Sequence, residues 1–285
     1  MSAQQPRDQP GAHPGTTPGI ETDSGLAARL ATSAGELLLA LRRDWTVTGD
    51  ATGLKDAGDR AAQTYLMAAL ARDRPDDAVL SEEGVDNPAR LAADRVWIVD
   101  PLDGTREYGD GRGDWAVHVA LWCRERGCRE LRGREQGDAA DVTGRLRAGA
   151  VALPVAGVTL ADEPAVKLPE RVERPPVVVV SRSRPPHEAA AVVAALRGKQ
   201  VTLGSAGAKV AAVLQGEADV YVHSGGQHEW DSAAPVAVAL AAGLHASRLD
   251  GSPLAYNRRD TLVPDLLVCR PELAGPVLAA LARTR

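Results

Sequence analysis

The residues Asp100-Pro101-Leu102-Asp103-Gly104-Thr105 close an apolar run, Val96-Trp97-Ile98-Val99, that reads as a buried strand. Pro101 fixes φ and has no N–H to give a neighbouring strand, so the spacing predicts that the chain leaves its sheet there. The turn can aim Asp100 and Asp103 at one point. Two carboxylates held that close repel unless something positive sits between them. A hard divalent cation with oxygen ligands is the natural partner, and the Leu102 carbonyl is a candidate third ligand. Gly104 allows close backbone approach. If a helix starts there, the N–H groups of Gly104 and Thr105 can grip an anion.

Three further segments carry acids that say less by themselves. Leu80-Ser81-Glu82-Glu83-Gly84 reads as an exposed acidic turn after a short strand. Asp59, in Lys55-Asp56-Ala57-Gly58-Asp59-Arg60, reads as a surface acid on a helix. In Gly225-Gly226-Gln227-His228-Glu229-Trp230-Asp231-Ser232-Ala233-Ala234-Pro235 a Gly-rich loop runs into a helix. Pro235 fits its first turn, and Asp231 sits at its N-terminal end, where a cap is worth about 1 kcal/mol.

The elements that must position these acids follow from periodicity. Residues 1–22 are rich in Pro, Gly, Gln and Thr and read as a flexible tail. Asp23 is the expected N-cap of a first helix with Leu26, Leu30, Leu37 and Leu41 on one face. A second helix over 56–72 turns Tyr65, Leu66 and Leu70 inward and ends before Arg74-Pro75. Short strands are expected at 78–80, 95–99, 115–123, 148–153 and 155–160, with a solvated loop over 124–146. Pro-rich spacers follow. From Val177 the texture alternates: strands at 177–180, 201–203, 219–223, 245–249 and 266–269, helices at 187–196, 206–215, 230–242 and 272–282. The reading is an α+β first half, 23–175, and an α/β second half, 176–285.

Composition excludes several classes. The chain has 285 residues, 44% hydrophobic and 25% charged, which suits one large or two coupled globular domains. Phe is absent and aromatics are 3%, so the core is expected to be Ala, Val and Leu. A net charge of −5 argues against a nucleic-acid or membrane-surface binder. No apolar run is long enough to span a bilayer, and the N-terminus has no signal-like apolar stretch. Cys123, Cys128 and Cys269 are odd in number, which fits inert thiols in a reducing cytoplasm.

Taken together, Glu82-Glu83, Asp100-Pro101-Leu102-Asp103-Gly104-Thr105 and Trp230-Asp231-Ser232-Ala233-Ala234-Pro235 resemble the signatures of the inositol-monophosphatase-like superfamily of magnesium-dependent, lithium-sensitive phosphatases. Their order and spacing match over nearly the whole ordered chain, 24–285. Within that superfamily the chain is most similar to the CysQ-type 3′(2′),5′-bisphosphate nucleotidases. The pointers are Asp103-Gly104-Thr105-Arg106-Glu107-Tyr108, Gly204-Ser205-Ala206-Gly207-Ala208-Lys209 and the stretch from Ala246 to Leu254. Tyr108 stands where those enzymes usually carry Phe.

The resemblance implies an α/β (α+β) fold, a layered α-β-α-β-α sandwich of the sugar-phosphatase and inositol monophosphatase type. It implies removal of the 3′-phosphate of 3′-phosphoadenosine 5′-phosphate, with the phosphosulfate analogue a further substrate, in sulfate assimilation. The alternatives are an inositol, sugar or histidinol phosphatase, or a catalytically inactive nucleotide-binding relative. Glu82, Asp100 and the Leu102 carbonyl would hold one Mg²⁺, and Asp100, Asp103 and Asp231 a second. Asp59 and Glu82 would hold a weaker third. Five carboxylates and a doubly charged phosphate are nearly balanced by three such ions, whereas one ion leaves the pocket strongly negative. Thr105 with Asp59 would orient the attacking water and take its proton, without a covalent intermediate. Asp103, Gly104, Thr105, Ser205, Lys209 and Asp231 would meet the substrate, with Asp114 and Arg112 at the cleft edge. His118 and His223 read as core or edge histidines, and His228, near Asp231, is only a candidate for substrate contact. The implied partners are a nucleotide bisphosphate and, in a homodimer, a second copy.

Overall fold

The structure is a computed structural model and describes residues 21–45, 51–125 and 144–284. Residues 1–20 of the expected tail, 126–143 of the expected loop, and with them Cys128, lie outside the described residues. Glu21 and Thr22, expected in the tail, belong to the ordered chain. Thr22 Oγ1 accepts from Gly25 N at 3.0 Å, so Thr22 rather than Asp23 caps α1 (Asp23–Trp45). Asp23 instead holds Arg74 and Arg95, each at 3.0 Å.

The inward face of α1 is Leu26, Ala27, Leu30, Ala31, Ala34 and Leu38. Leu37, expected inward, is 37% exposed, because one residue of helix turns it about 100° off that stripe. The second helix, α2 (Ala51–Asp73), buries Leu54, Ala62, Leu66, Ala69 and Leu70, with Tyr65 packed beside them.

Both helices cover the outer face of a five-stranded sheet. Its order is β1 (Ala78–Ser81), β2 (Arg95–Asp103), β3 (Ala116–Arg124), β4 (Gly144–Leu153), β5 (Val158–Ala161). The first pair is parallel and the rest antiparallel. β4 begins inside the expected loop, and Pro154–Ala156 is a 3₁₀ turn rather than the start of β5.

A five-residue helix, α3 (Thr105–Gly109), follows β2. The second sheet runs β7 (Lys199–Leu203), β6 (Val177–Ser181), β8 (Val220–His228), β10 (Leu262–Cys269), β9 (His245–Ser247). The helices α5 (Ala206–Leu214) and α6 (Glu229–Ala241) lie between the two sheets, and α4 (Ala189–Leu196) and α7 (Pro271–Leu281) cover the far face. This is the expected α-β-α-β-α layering. The few aromatics are spent in the interior: Trp97, Trp115 and Trp122 are fully buried beside the expected Ala, Val and Leu.

Two corrections bear on the site. β2 does not leave its sheet at Pro101 but continues to Asp103 through a bulge, where a proline without an N–H is tolerated. The segment 225–228 is strand rather than loop, with φ of 77° at both Gly225 and Gly226. Pro235 falls in the second turn of α6, not the first. There its ring has no N–H for the Asp231 carbonyl four residues back.

Candidate active site

The bulge in β2 makes the site. Residues three apart on a regular strand face opposite sides of a sheet. Here Asp100 pairs with His118 and Asp103 with Ala116, so three steps of β2 are matched to two of β3. The extra residue turns Asp100 and Asp103 to the same face, while Leu102 packs under α1 and α2. That face is the inner one, toward α5 and α6. Gly104, the last residue before α3, has φ of 93°, a conformation glycine adopts without penalty. A Cβ there would meet Ser205 and Trp115 at 3.1–3.2 Å.

The third acid comes from the second half of the chain. Asp231 lies in the first turn of α6, and its Oδ2 accepts from His228 N at 2.6 Å, tying it to the strand before the helix. Asp100, Asp103 and Asp231 bring ligand oxygens within 4.8 Å of one another. Each has one oxygen fixed by a backbone N–H: Leu102 N to Asp100 Oδ1 at 3.0 Å, Gly207 N to Asp103 Oδ2 at 2.7 Å, and His228 N to Asp231 Oδ2. Preset carboxylates of this kind and an all-oxygen donor set fit a hard divalent cation.

The electrostatics point the same way. Burial, then the charges of Glu82, Asp103 and Asp231, hold the Asp100 carboxyl well above its usual range. Burial pushes Asp231 up to about 6, with Asp103 adding to it. Burial also drives Asp103 upward, but His118, Lys209 and the Gly207 N–H outweigh it and hold Asp103 low. Without a cation, the pocket keeps its acids by protonating some of them.

Other expected residues gather around this triad. Glu82 reaches Asp100 with its carboxyl, and withdrawal of that carboxyl from water pushes it up to about 7 although the residue as a whole stays exposed. It is not part of the 4.8 Å group. Asp59 is not a surface acid: burial, then the charge of Glu83, raises it to about 7. Its Oδ1 lies 3.5 Å from Thr105 Oγ1, which is also 3.2 Å from the Leu102 carbonyl. Ser205 caps α5, accepting from Ala208 N at 2.9 Å.

Lys209 is not a surface lysine. It is 3% exposed, and its Nζ donates to the Gly204 and Ser205 carbonyls at 2.6 and 2.7 Å. Burial lowers it to about 8 against the pull of Asp103, Asp231, Glu107 and Asp114. Its charge is thus fixed in the pocket wall rather than carried on a free arm. Asp114 takes Arg112, Gly204 N and Arg182, and Arg182 also holds Glu107 at 2.9 Å. This network pins the segment after Thr105 to the loop before α5. Arg182 escaped the sequence reading because it follows an ordinary buried strand.

Among the histidines, His223 is buried, donates from Nε2 to the Gly225 carbonyl at 3.0 Å, and is lowered to about 4 by burial. His228 stacks on Trp230 at 4.7 Å and meets Thr261 Oγ1 at 3.0 Å. His118 is buried as expected, but its Nε2 is 3.2 Å from Asp103 Oδ2. A histidine facing an acid across a strand pair was the available signal, and only the register could reveal it. Burial raises the Cys123 thiol and takes Cys269 up to about 12, which leaves both inert. No helix among the described residues is long and apolar enough to cross a membrane.

Known proteins resemble this chain along most of its length. The model of the inositol monophosphatase family matches residues 21–127 and 142–284. A Mycobacterium leprae protein named 3′-phosphoadenosine 5′-phosphate phosphatase is 47% identical over 266 residues, 92% of this chain and 94% of its own. The Escherichia coli 3′(2′),5′-bisphosphate nucleotidase CysQ is 33% identical over 82% of this chain and 94% of its own. The crystal structure of CysQ from Bacteroides thetaiotaomicron superposes with a TM-score of 0.68 at 26% identity, covering 88% of this chain and 98% of that one. A match from one end of the described chain to the other, on a fold with the same two sheets, makes this chain a member of the inositol monophosphatase family.

Proposed function

We propose that this chain is a Mg²⁺-dependent phosphomonoesterase of the cytoplasm that removes the 3′-phosphate of 3′-phosphoadenosine 5′-phosphate. The observation that carries this reading is the meeting of Asp100, Asp103 and Asp231 within 4.8 Å, in a chain 47% identical to a relative named for that substrate. Those three acids, with Glu82 and the Leu102 carbonyl, would hold two Mg²⁺ ions, and Asp59 with Glu82 a third. When bound, magnesium neutralises phosphoryl oxygens and acidifies water.

The chain's own residues supply the rest. Thr105 Oγ1, between the Leu102 carbonyl and Asp59, orients the attacking water. As the water oxygen bonds to phosphorus and the P–O3′ bond breaks, the water's proton passes to Thr105 Oγ1, the hydroxyl proton passes to Asp59 Oδ1, and the departing 3′-oxygen takes a proton from solvent water to leave as the 3′-hydroxyl. Asp59 Oδ1, 3.5 Å from Thr105 Oγ1, is placed to receive the Thr105 proton. No histidine is needed as base. Gly104, Thr105 and Ser205 border the phosphate, Asp103 and Asp231 face it, and Lys209 adds fixed positive charge to the wall. A homodimer belongs to the same proposal and is read by sedimentation.

The test is kcat/KM for 3′-phosphoadenosine 5′-phosphate against inositol 1-phosphate at one Mg²⁺ concentration. The nucleotide should win. A tenfold advantage for the inositol ester, about 1.4 kcal/mol, overturns the substrate. Equal phosphate release by wild type and Asp100→Asn overturns the catalytic reading.

A further inference from the structure

His118 stands opposite Asp100 in the β2–β3 pair, yet its ring is directed past that partner. It is 0% exposed. Its Nε2 lies 3.2 Å from Asp103 Oδ2, off the line of a well-aligned hydrogen bond, and its Nδ1 lies 3.1 Å from the Trp230 carbonyl. The ring therefore spans from one acid of the triad to the residue before another.

Space for it is made by Gly207. A Cβ there would fall 2.3 Å from His118 Nε2 and 2.8 Å from the Ala116 Cβ. The same Gly207 donates its N–H to the same oxygen, Asp103 Oδ2, at 2.7 Å. A fully buried ring nitrogen that is incompletely bonded costs stability. An aliphatic side chain would fill that space without this cost, so core packing does not account for a histidine here. Its contacts do.

We propose that His118 is a positioning residue: its Nδ1–H donates to the Trp230 carbonyl and its Nε2 edge sits against Asp103 Oδ2 beside the Gly207 N–H, so the ring sets the spacing between Asp103 and the helix that carries Asp231 and leaves the other Asp103 oxygen toward Asp100 and Asp231. The inference rests on the reading of the three acids as a cation site, and needs nothing from the substrate. A carboxylate fixed before the ion arrives loses less freedom on binding. Supports of this kind are typically worth ten- to hundredfold in metal affinity.

Mn²⁺ alone, titrated into the full chain by calorimetry, reads this directly. Three proteins are compared: wild type, His118→Leu, which fills the space without a nitrogen, and His118→Gln, whose amide can reach Asp103. The Leu variant should bind its tightest Mn²⁺ about ten- to hundredfold more weakly. Its metal-free melting temperature should be unchanged or higher, and its KM for nucleotide at saturating metal should match wild type. The Gln variant should recover most of the affinity.

Wild-type Mn²⁺ affinity in the Leu variant overturns the inference, as does a Gln variant as weak as Leu, because shape alone would then explain the ring. If the Leu variant does not fold, His118→Asn, too short to reach Asp103, takes its place with the same expected weakening. A wild type that takes up no Mn²⁺ overturns the cation site and this inference together. A wild type that binds Mn²⁺ but leaves the adenosine bisphosphate intact overturns only the substrate reading, and the His118 comparison still decides.

Discussion

Asp219 and Asp100 are equally buried, each 1% exposed, and live in opposite company. Asp219 Oδ2 accepts from Arg174 at 2.7 Å and from Val177 N at 2.8 Å, and Arg171 and Arg270 approach Oδ1 at 3.6 Å. One carboxylate there meets three guanidinium groups. Asp100 meets Asp103, Asp231 and Glu82, and one N–H from its own turn. A buried charge that serves the fold is paired by the fold, since an unpaired one costs several kcal/mol. Asp219 obeys that rule and Asp100 breaks it. The chain has arginines to spare, so the gap around Asp100 reflects what the pocket must receive and not a shortage of cations.

Because of this contrast the two positions should fail in different ways. Asp100→Asn should lower kcat/KM on the order of a thousandfold, about 4 kcal/mol of transition-state stabilisation. It should also raise the metal-free melting temperature, because the buried side chain no longer has to take up a proton to sit among the other acids. Asp219→Asn should cost about 3 kcal/mol of stability, read as a lower denaturant midpoint, and leave turnover nearly intact. A stability loss at Asp100, or an activity loss at Asp219 in still-folded protein, would dissolve the distinction.

Ligand addition sharpens it. Mg²⁺ at about a hundred times its Kd should stabilise the protein by about 2.7 kcal/mol, raising Tm by about 5 °C or more. Asp231→Asn should lose most of that shift while keeping the metal-free Tm, since an amide oxygen still accepts from His228 N. Asp219→Asn should melt earlier but keep the full Mg²⁺ response. Scanning calorimetry with and without chelator reads both.

The same contrast explains what could be read from the chain beforehand. Local signals gave the layers: leucine and alanine at helical spacing in α1, and the continuous valine run of β6. The acids Asp100 and Asp103 were legible because proline and glycine between and after them confine the turn. What those acids touch was not. By local pattern alone Asp59 and His118 looked like ordinary helix or strand residues, and their burial, like that of Lys209, is decided by tertiary packing that no local pattern encodes. The bulge also escaped, because Pro101 argues equally for leaving a sheet and for bulging within it. The cap moved to Thr22 and the inward leucine to Leu38 for a simpler reason: boundaries and faces shift by one residue without altering the pattern.

The smallest expected effect concerns pH, and it separates the two kinds of acid once more. Arginine hydrogen bonds hold Asp73 below its usual range, and Arg95 and Arg74 outweigh burial to hold Asp23 low too. Such acids give stability that is present above their unfolded values and lost as pH falls, an effect confined to below about pH 4. The pocket acids run the other way. Asp231 near 6 and Asp59 and Glu82 near 7 bind protons in the folded state that the unfolded chain has released. Their stability is complete below the unfolded values and lost as pH rises from about 4 to about 7. Chelated protein should therefore melt lower at the upper end of that window than at its foot. With Mg²⁺ present the slope should flatten, because the ion replaces the protons, and Asp100→Asn should flatten it in chelator as well. A chelated protein whose Tm climbs across the same window would mean that these carboxyls are ionised throughout, and that the pocket tolerates its crowding without any counter-charge.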